Sequence, residues 1–358
     1  MTTINVKASK TYDIIIANDL LGQCGSIIRS TAERNSLKGR NAAIVMDDNV
    51  AELYGEKLSL SLKENGYEVF RFIFPNGENS KNEDNYFKLL NFLAENKFTR
   101  SDIIIAFGGG VTGDLAGFAA ATYMRGISYI QFPTTLLAAV DSSIGGKTAI
   151  NLAAGKNLAG AFYQPVLVLC DTALLSTLEP AVFADGCAEM IKHGMIADRE
   201  LFFSYKKAIK DNLEDTIARN VIIKRDIVIE DEFEQGNRKL LNFGHTVGHA
   251  IELLSSFKTG HGNAVAAGMV IVTRAALRMG ICKEETLSEL LRMLSLYNLP
   301  AATSYDAASL AEACLGDKKR SGGSITMIFP RDIGNCFLKE INVEQINDII
   351  KMGLDEKN

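Results

Sequence analysis

The chain has 358 residues, more than one ordinary hydrophobic core accommodates, so two domains of typical size are expected. Its composition, 47% hydrophobic and 23% charged, is that of a soluble globular protein, and no apolar run approaches the roughly 18 residues of a membrane span. A net charge of -5 gives no reason to expect a nucleic-acid partner, and any anion-binding site has to be a local cluster.

Residues 1–7 alternate in the manner of a strand and lack the apolar core of a signal peptide. Cys24, Cys170, Cys187, Cys282, Cys314 and Cys336 include no C-x-x-C pair, which argues against a disulfide framework and a thiolate zinc site. A cytoplasmic location is expected. Residues 12–16, 42–46, 68–74, 103–107, 129–132 and 166–170 read as strands, separated by helical stretches such as 50–65 and 86–95. This alternation predicts a largely parallel sheet covered on both faces. From about 180 to 299 a 3.6-residue periodicity takes over, with helices expected at 201–210, 216–230, 246–254 and 264–279. The expected fold is an α/β amino-terminal nucleotide-binding domain, residues 1–180, with a mainly α-helical carboxy-terminal domain, residues 181–358. A site between the two is the natural expectation.

The run Gly108-Gly109-Gly110-Val111-Thr112-Gly113-Asp114 follows a strand and precedes a helical stretch, so its backbone amides could cradle a pyrophosphate. The acidic residue that the dinucleotide fingerprint wants about 20 positions later is absent. Asp47 or Asp48, ending the 42–46 strand, is the substitute. The alternative is a glycine-rich segment serving only as a tight turn. Farther on, Gly145-Gly146-Lys147-Thr148 looks like the tail of a P-loop, but Asp141 stands where the first glycine is required. Lys147 and Lys156, each beside glycine in a small-residue loop, are either a phosphate-binding pair or exposed loop lysines. Glu189 and Lys192 lie at i and i+3 on a helical face, as a surface ion pair or with Glu189 completing a His2Glu metal site. Lys224 and the stretch Glu234 to Asn242 are either solvated charges or polar lining for a ligand.

Three of the four histidines fall close together in sequence, at His245, His249 and His261. His245 and His249 share one face of a helix and suggest a divalent metal, against the alternative of solvated or helix-packing imidazoles. The surrounding glycine and asparagine are poor helix-interior residues, so something other than helix propensity selected them.

Taken together, the blocks 108–125, 131–157, 186–194 and 238–269 resemble the 3-dehydroquinate synthase family, one of the sugar phosphate cyclases. The resemblance implies a shikimate-pathway lyase of chorismate and aromatic amino acid biosynthesis. It places metal ligands on Glu189, His245 and His261, for zinc or alternatively cobalt, and makes His249 catalytic. Its substrate and catalytic positions fall on Arg125, Asp141, Lys147, Lys156, Asn157, Lys192, Lys224, Glu234, Arg238, Asn242, His249 and Lys318. NAD contacts fall on Asp47, Asn49, Glu78, Lys81, Gly109, Gly110, Val111, Thr112, Gly113, Asp114, Thr134, Thr135, Lys147, Lys156, Leu174 and Thr177. The implied substrate is 3-deoxy-D-arabino-heptulosonate 7-phosphate and the expected assembly a homodimer. One departure stands out: many members read His-Gly-Glu where this chain has His261-Gly262-Asn263. The rival expectations are a cyclase acting on another sugar phosphate and a metal-dependent alcohol or glycerol dehydrogenase.

Overall fold

The computed structural model describes residues 1–207, 209–315 and 323–354, with 210 and 211 given by backbone alone. In chain order the amino-terminal elements are β1 (Thr2–Lys7), β2 (Thr11–Ala17), α1 (Cys24–Arg34), β3 (Asn41–Asp47), α2 (Asp48–Glu64), β4 (Glu68–Phe74) and α3 (Glu83–Glu95). They continue with β5 (Ile103–Gly108), α4 (Gly110–Thr122), β6 (Ser128–Pro133), β7 (Lys147–Leu152), β8 (Gly155–Phe162) and β9 (Leu167–Asp171). There follow α5 (Pro180–Ala197), α6 (Arg199–Ser204), α7 (Leu213–Glu230), α8 (His245–Leu254) and α9 (His261–Arg278). The last are α10 (Glu284–Leu296), α11 (Ala307–Leu315), β10 (Ser324–Asp332), β11 (Asn335–Asn342) and α12 (Ile346–Gly353).

Two compact units result, Met1–Leu178 with Leu213–Glu232, and Glu179–Asn212 with Phe233–Asn358. Helix α7 thus groups with the first unit, although sequence order puts it in the 181–358 segment. Helical periodicity reports that a face is buried, not which core receives it. Here Ile217, Val221 and Val228 are the buried face, Lys224 reaches Asp141, and Glu232 accepts from Ser9 N at 2.7 Å and Gln164 Nε2 at 2.8 Å.

The first unit holds a sheet in the order β1-β2-β9-β6-β5-β3-β4, antiparallel only between β1 and β2. The strand β5, Ile-Ile-Ile-Ala-Phe-Gly, is buried at every position because alternate side chains enter different cores. Ile103, Ile105 and Phe107 join Ala42, Ile44 and Met46 beneath α1 and α2, whereas Ile104 and Ala106 join Ala43 and Val45 beneath α3 and α4. Strand order reverses between β3 and β5: β4 lies on one side, and β5, β6 and β9 follow on the other. The carboxyl ends of strands at such a reversal form a ligand crevice, and here those ends are Asp47 and Gly108.

Lys147 and the Gly155-Lys156-Asn157 segment, expected in loops, instead begin the two strands of an antiparallel hairpin, β7 and β8. The run Thr148-Ala149-Ile150 is buried, and Ile150 joins the core beneath α4, which fixes the segment as a strand.

The second unit is mainly helical and built around α9, which is buried along most of its length. Helices α8 and α9 approach backbone to backbone: a Cβ at Gly268 would stand 2.1 Å from the Gly244 carbonyl oxygen, and Gly244 itself has φ +80°. This packing accounts for the glycines that helix propensity does not. The β10–β11 hairpin, turning at Gly334, has no counterpart in the sequence-based expectation. Among the described residues no helix is long and apolar enough to cross a membrane.

Candidate active site

In the first unit, α4 starts directly after β5, with Gly109 as an extended N-cap and no side chain capping its amides. Such amides and the helix dipole favour an anion. Thr134 N donates to Gly108 O at 3.0 Å, and a Cβ on Gly109 would lie 3.1 Å from Thr135 Cγ2, so Thr134-Thr135 flanks the turn. Asp47 accepts from Val50 N at 3.0 Å as the N-cap of α2, and burial raises its pKa. The neighbouring Asp48 is held below the usual carboxylate range by hydrogen bonds from Asn76. The exposed Asn49 follows it. On the segment after β9, Thr177 Oγ1 meets Tyr54 OH at 2.6 Å and Leu174 O accepts from Thr177 Oγ1 at 3.2 Å. Tyr54 in turn packs edge-on against Phe107 of β5.

Beside the turn lies a charge network. Lys81, 5% exposed, places Nζ 2.9 Å from Asp114 Oδ2 and 3.2 Å from Glu78 Oε1. Lys156 Nζ stands 3.8 Å from the same Glu78 oxygen. Burial would raise the Glu78 pKa, but Lys81, Lys156 and an Asn151 hydrogen bond outweigh it and hold the carboxyl down. Asp114 is shifted upward by burial, against the pull of Lys81. Asp141 sits in a single π-helical turn, Ala138–Ser142, and is ion-paired with Lys224 of α7. Lys224 Nζ also donates to Asp141 O at 2.7 Å. Such turns recur at functional sites.

Arg125 is not gathered with these groups. It follows the end of the 13-residue α4, about 20 Å along the helix from the glycine turn. Met124, Arg125 and Gly126 all have positive φ, at 50°, 66° and 124°.

In the second unit, Glu189 of α5 converges with the first residues of α8 and α9. Glu189 Oε1 lies 3.5 Å from His245 Nε2 and 3.4 Å from His261 Nε2. The ligand atoms of this trio all fall within 4.8 Å of one another, as do those of His249, Glu252 and His261. Glu189 is 1% exposed and ion-paired with Lys192, yet neither of its oxygens accepts a hydrogen bond of ordinary geometry. A bound cation compensates a buried carboxylate of this kind, so the residues fit a metal.

The histidines are aimed by their other nitrogens. His245 Nδ1 stands 3.2 Å from the Phe243 carbonyl, which can only accept, so Nδ1 carries the proton and Nε2 presents a lone pair towards Glu189. His261 Nδ1 lies 3.4 Å from Glu252 Oε2. Burial, Lys192 and the two neighbouring imidazoles hold His245 well below its ordinary pKa. Burial also lowers His261, but the adjacent carboxylates of Glu189 and Glu252 outweigh it and raise the group to about 10. His249 is exposed, with its ring centroid 5.4 Å from that of His245 and 6.0 Å from that of His261.

Arg238 is buried, and Asn242 Nδ2 donates to Glu234 Oε1 at 2.7 Å. Lys318 lies outside the described residues. Glu252 and Asp185 were not anticipated as site residues. Asp185 of α5 accepts from Asn263 N at 3.2 Å and so tethers the start of α9, with Gly262 too close to the Asp185 backbone for a side chain. Glu252 was legible as the carboxylate seven residues after His245 on one helix; Asp185 had no sequence signal tying it to His261.

Family profiles described as 3-dehydroquinate synthase N-terminal and C-terminal match residues 71–185 and 186–320. A 3-dehydroquinate synthase of Clostridium acetobutylicum is 41% identical over 353 residues, covering 96% of this chain and 98% of that protein. The chain belongs to the 3-dehydroquinate synthase family. Its fold is shared with 2-deoxy-scyllo-inosose synthase, solved with carbaglucose-6-phosphate, NAD+ and Co2+, at TM-score 0.86 and 27% identity over 99% of this chain and 100% of that one. It is also shared with the 2-epi-5-epi-valiolone synthase of Streptomyces hygroscopicus, solved with NAD+ and Zn2+, at TM-score 0.84 and 26% identity over 98% of both chains. Like the 3-dehydroquinate synthases, the chain is a lyase.

Proposed function

We propose that the chain converts 3-deoxy-D-arabino-heptulosonate 7-phosphate to 3-dehydroquinate and phosphate, using NAD and a divalent metal, with zinc the expected ion and cobalt an alternative. The observation that carries this reading is the convergence of Glu189, His245 and His261, in a chain of this family. When bound, NAD would supply a reversible hydride acceptor and the metal a Lewis acid for the substrate hydroxyls, the chemistry that phosphate elimination and aldol closure call for.

The residues divide the remaining work. Glu189, His245 and His261 hold the metal. Asp47, Asn49, Glu78, Lys81, the Gly109–Asp114 turn, Thr134, Thr135, Leu174 and Thr177 would hold the dinucleotide, the uncapped amides at the start of α4 being suited to its pyrophosphate. Lys156, Asn157, His249 and Lys318 engage the phosphate, and Arg125, apart from Lys156 beyond the far end of α4, is assigned to it by family resemblance alone. Lys147, Lys192, Lys224, Arg238 and Asn242 engage the carboxylate and hydroxyls, with Asp141 and Glu234 steadying these cations and amides. The aldol closure requires orientation more than strong acid or base groups. A homodimer in the cytoplasm is proposed from the family resemblance, and sedimentation of the purified protein tests the assembly.

Turnover of the acid sugar phosphate but not of sedoheptulose 7-phosphate is the expected substrate profile. The reverse preference transfers the chain to a sibling cyclase activity.

Two outcomes follow from the metal centre. Glu252→Gln removes the charge behind His261 and weakens zinc binding about 10- to 100-fold, as read by chelator competition. Wild-type affinity in this variant would remove Glu252 from the centre. Zinc binding also displaces about one proton per ion, because His261, raised to about 10, is protonated when metal-free, whereas His245, lowered, is already neutral. Apparent affinity therefore rises about tenfold per pH unit until pH approaches 10. Calorimetry in buffers of different ionisation enthalpy measures the release, and zero protons at neutral pH contradicts the assignment.

A further inference from the structure

Between the pairs Ile150↔Ala159 and Leu152↔Gly155 of the β7–β8 hairpin, three residues of β8 oppose one residue of β7. The three are Lys156, Asn157 and Leu158; the one is Asn151. The bulge therefore carries two residues assigned above to phosphate binding, and Asn157 has φ +56°. A bulge of this size breaks the ladder and re-aims its side chains, so something else has to fix it.

Asn151 supplies three bonds. Its Oδ1 accepts from Asn157 N at 3.0 Å, replacing the ladder partner lost at the bulge. Its Nδ2 donates to Glu78 Oε1 at 2.8 Å, and its backbone N donates to Lys81 O at 2.8 Å. The Glu78 oxygen so held is the one nearest Lys156, at 3.8 Å, and it also meets Lys81. One side chain thus joins the bulge to the segment that leads into the Lys81–Asp114 pair.

We infer that Asn151 is a positioning residue, which clamps the β8 bulge so that Lys156 and Asn157 are presented together to the substrate phosphate beside the nucleotide site. The inference rests on the proposed function for the identity of the substrate. It does not rest on it for the clamp itself. Both halves of the side chain are required: the acceptor orders the Asn157 backbone, and the donor keeps Glu78 turned towards Lys81 and Lys156.

The test uses Asn151→Ala and Asn151→Asp in the full-length protein. In Asn151→Ala, amide exchange in the peptide spanning residues 155–160 accelerates, and the inorganic phosphate Kd rises about tenfold, the equivalent of one charge-assisted contact misplaced. The KM for the acid sugar phosphate rises by a similar factor while kcat changes by less than about threefold, a split that general loosening of the fold would not give. Asn151→Asp retains the acceptor for Asn157 N, so exchange stays near wild type while phosphate binding weakens through repulsion from Glu78. Unchanged exchange in Asn151→Ala overturns the clamp. Faster exchange with an unchanged phosphate Kd overturns its positioning role. If the wild-type protein ignores the acid sugar phosphate, the functional reading fails, and the exchange and inorganic phosphate measurements still decide the clamp.

Discussion

Replacing His245 by alanine lowers kcat/KM at least about a thousandfold and leaves a folded protein. The imidazole is the first residue of α8, and its Nδ1 bond to Phe243 O serves only to aim Nε2 at Glu189. Removing it leaves Glu189 and His261 as a two-residue remnant that holds zinc poorly. Lewis-acid assistance is worth several kcal/mol, and each 1.36 kcal/mol is tenfold in rate, which sets the magnitude at about three decades. Metal content and turnover are measured together. A variant that carries a full complement of metal and turns over normally contradicts the ligand assignment.

The second large effect is on stability. Gly268→Ala places a Cβ 2.1 Å from the Gly244 carbonyl oxygen, where backbone rather than a flexible side chain must yield. A clash against backbone falls at the upper end of the overpacking range, about 3 kcal/mol. His245 and His261 begin the two helices that would be forced apart, so zinc affinity falls along with stability. Gly280→Ala is the control: its φ is +70° and nothing lies within 4 Å, so only the left-handed backbone penalty of about 1–2 kcal/mol applies and zinc binding is unaffected. Urea unfolding of the metal-free proteins separates the two. Equal losses in both variants contradict the close-packing account.

Much of this arrangement is legible in the chain because local spacing carries it. The Ile103-Ile104-Ile105-Ala106-Phe107 run reads as a strand buried on both faces, and the glycines after it read as a turn into a helix. The three clustered histidines read as a metal candidate. Spacing alone, however, pairs His245 with His249 on one helix face and leaves Glu189, 56 positions before His245, open between a surface ion pair and a third ligand. The choice of Glu189, His245 and His261 came from family resemblance, and the structure brings the three side chains together through the α8–α9 approach and the packing of α5 against the start of α9.

What the sequence conceals is mostly long-range. Helix α7 has an ordinary amphipathic pattern, which says nothing of its grouping with the sheet unit. Lys147 and Lys156 look like loop lysines because glycine surrounds them, yet Ile150 draws the segment into a core and makes it a hairpin. Asn151 is one asparagine among many until the bulge opposite it is seen.

The most direct test of the central claim is to follow phosphate release and absorbance at 340 nm together, from 3-deoxy-D-arabino-heptulosonate 7-phosphate with substoichiometric NAD, before and after metal removal. The account predicts many turnovers of phosphate per NAD, no accumulating NADH, and loss of release on chelation with recovery on adding zinc. NADH formed in proportion to substrate, with no phosphate released, would contradict it and identify a dehydrogenase.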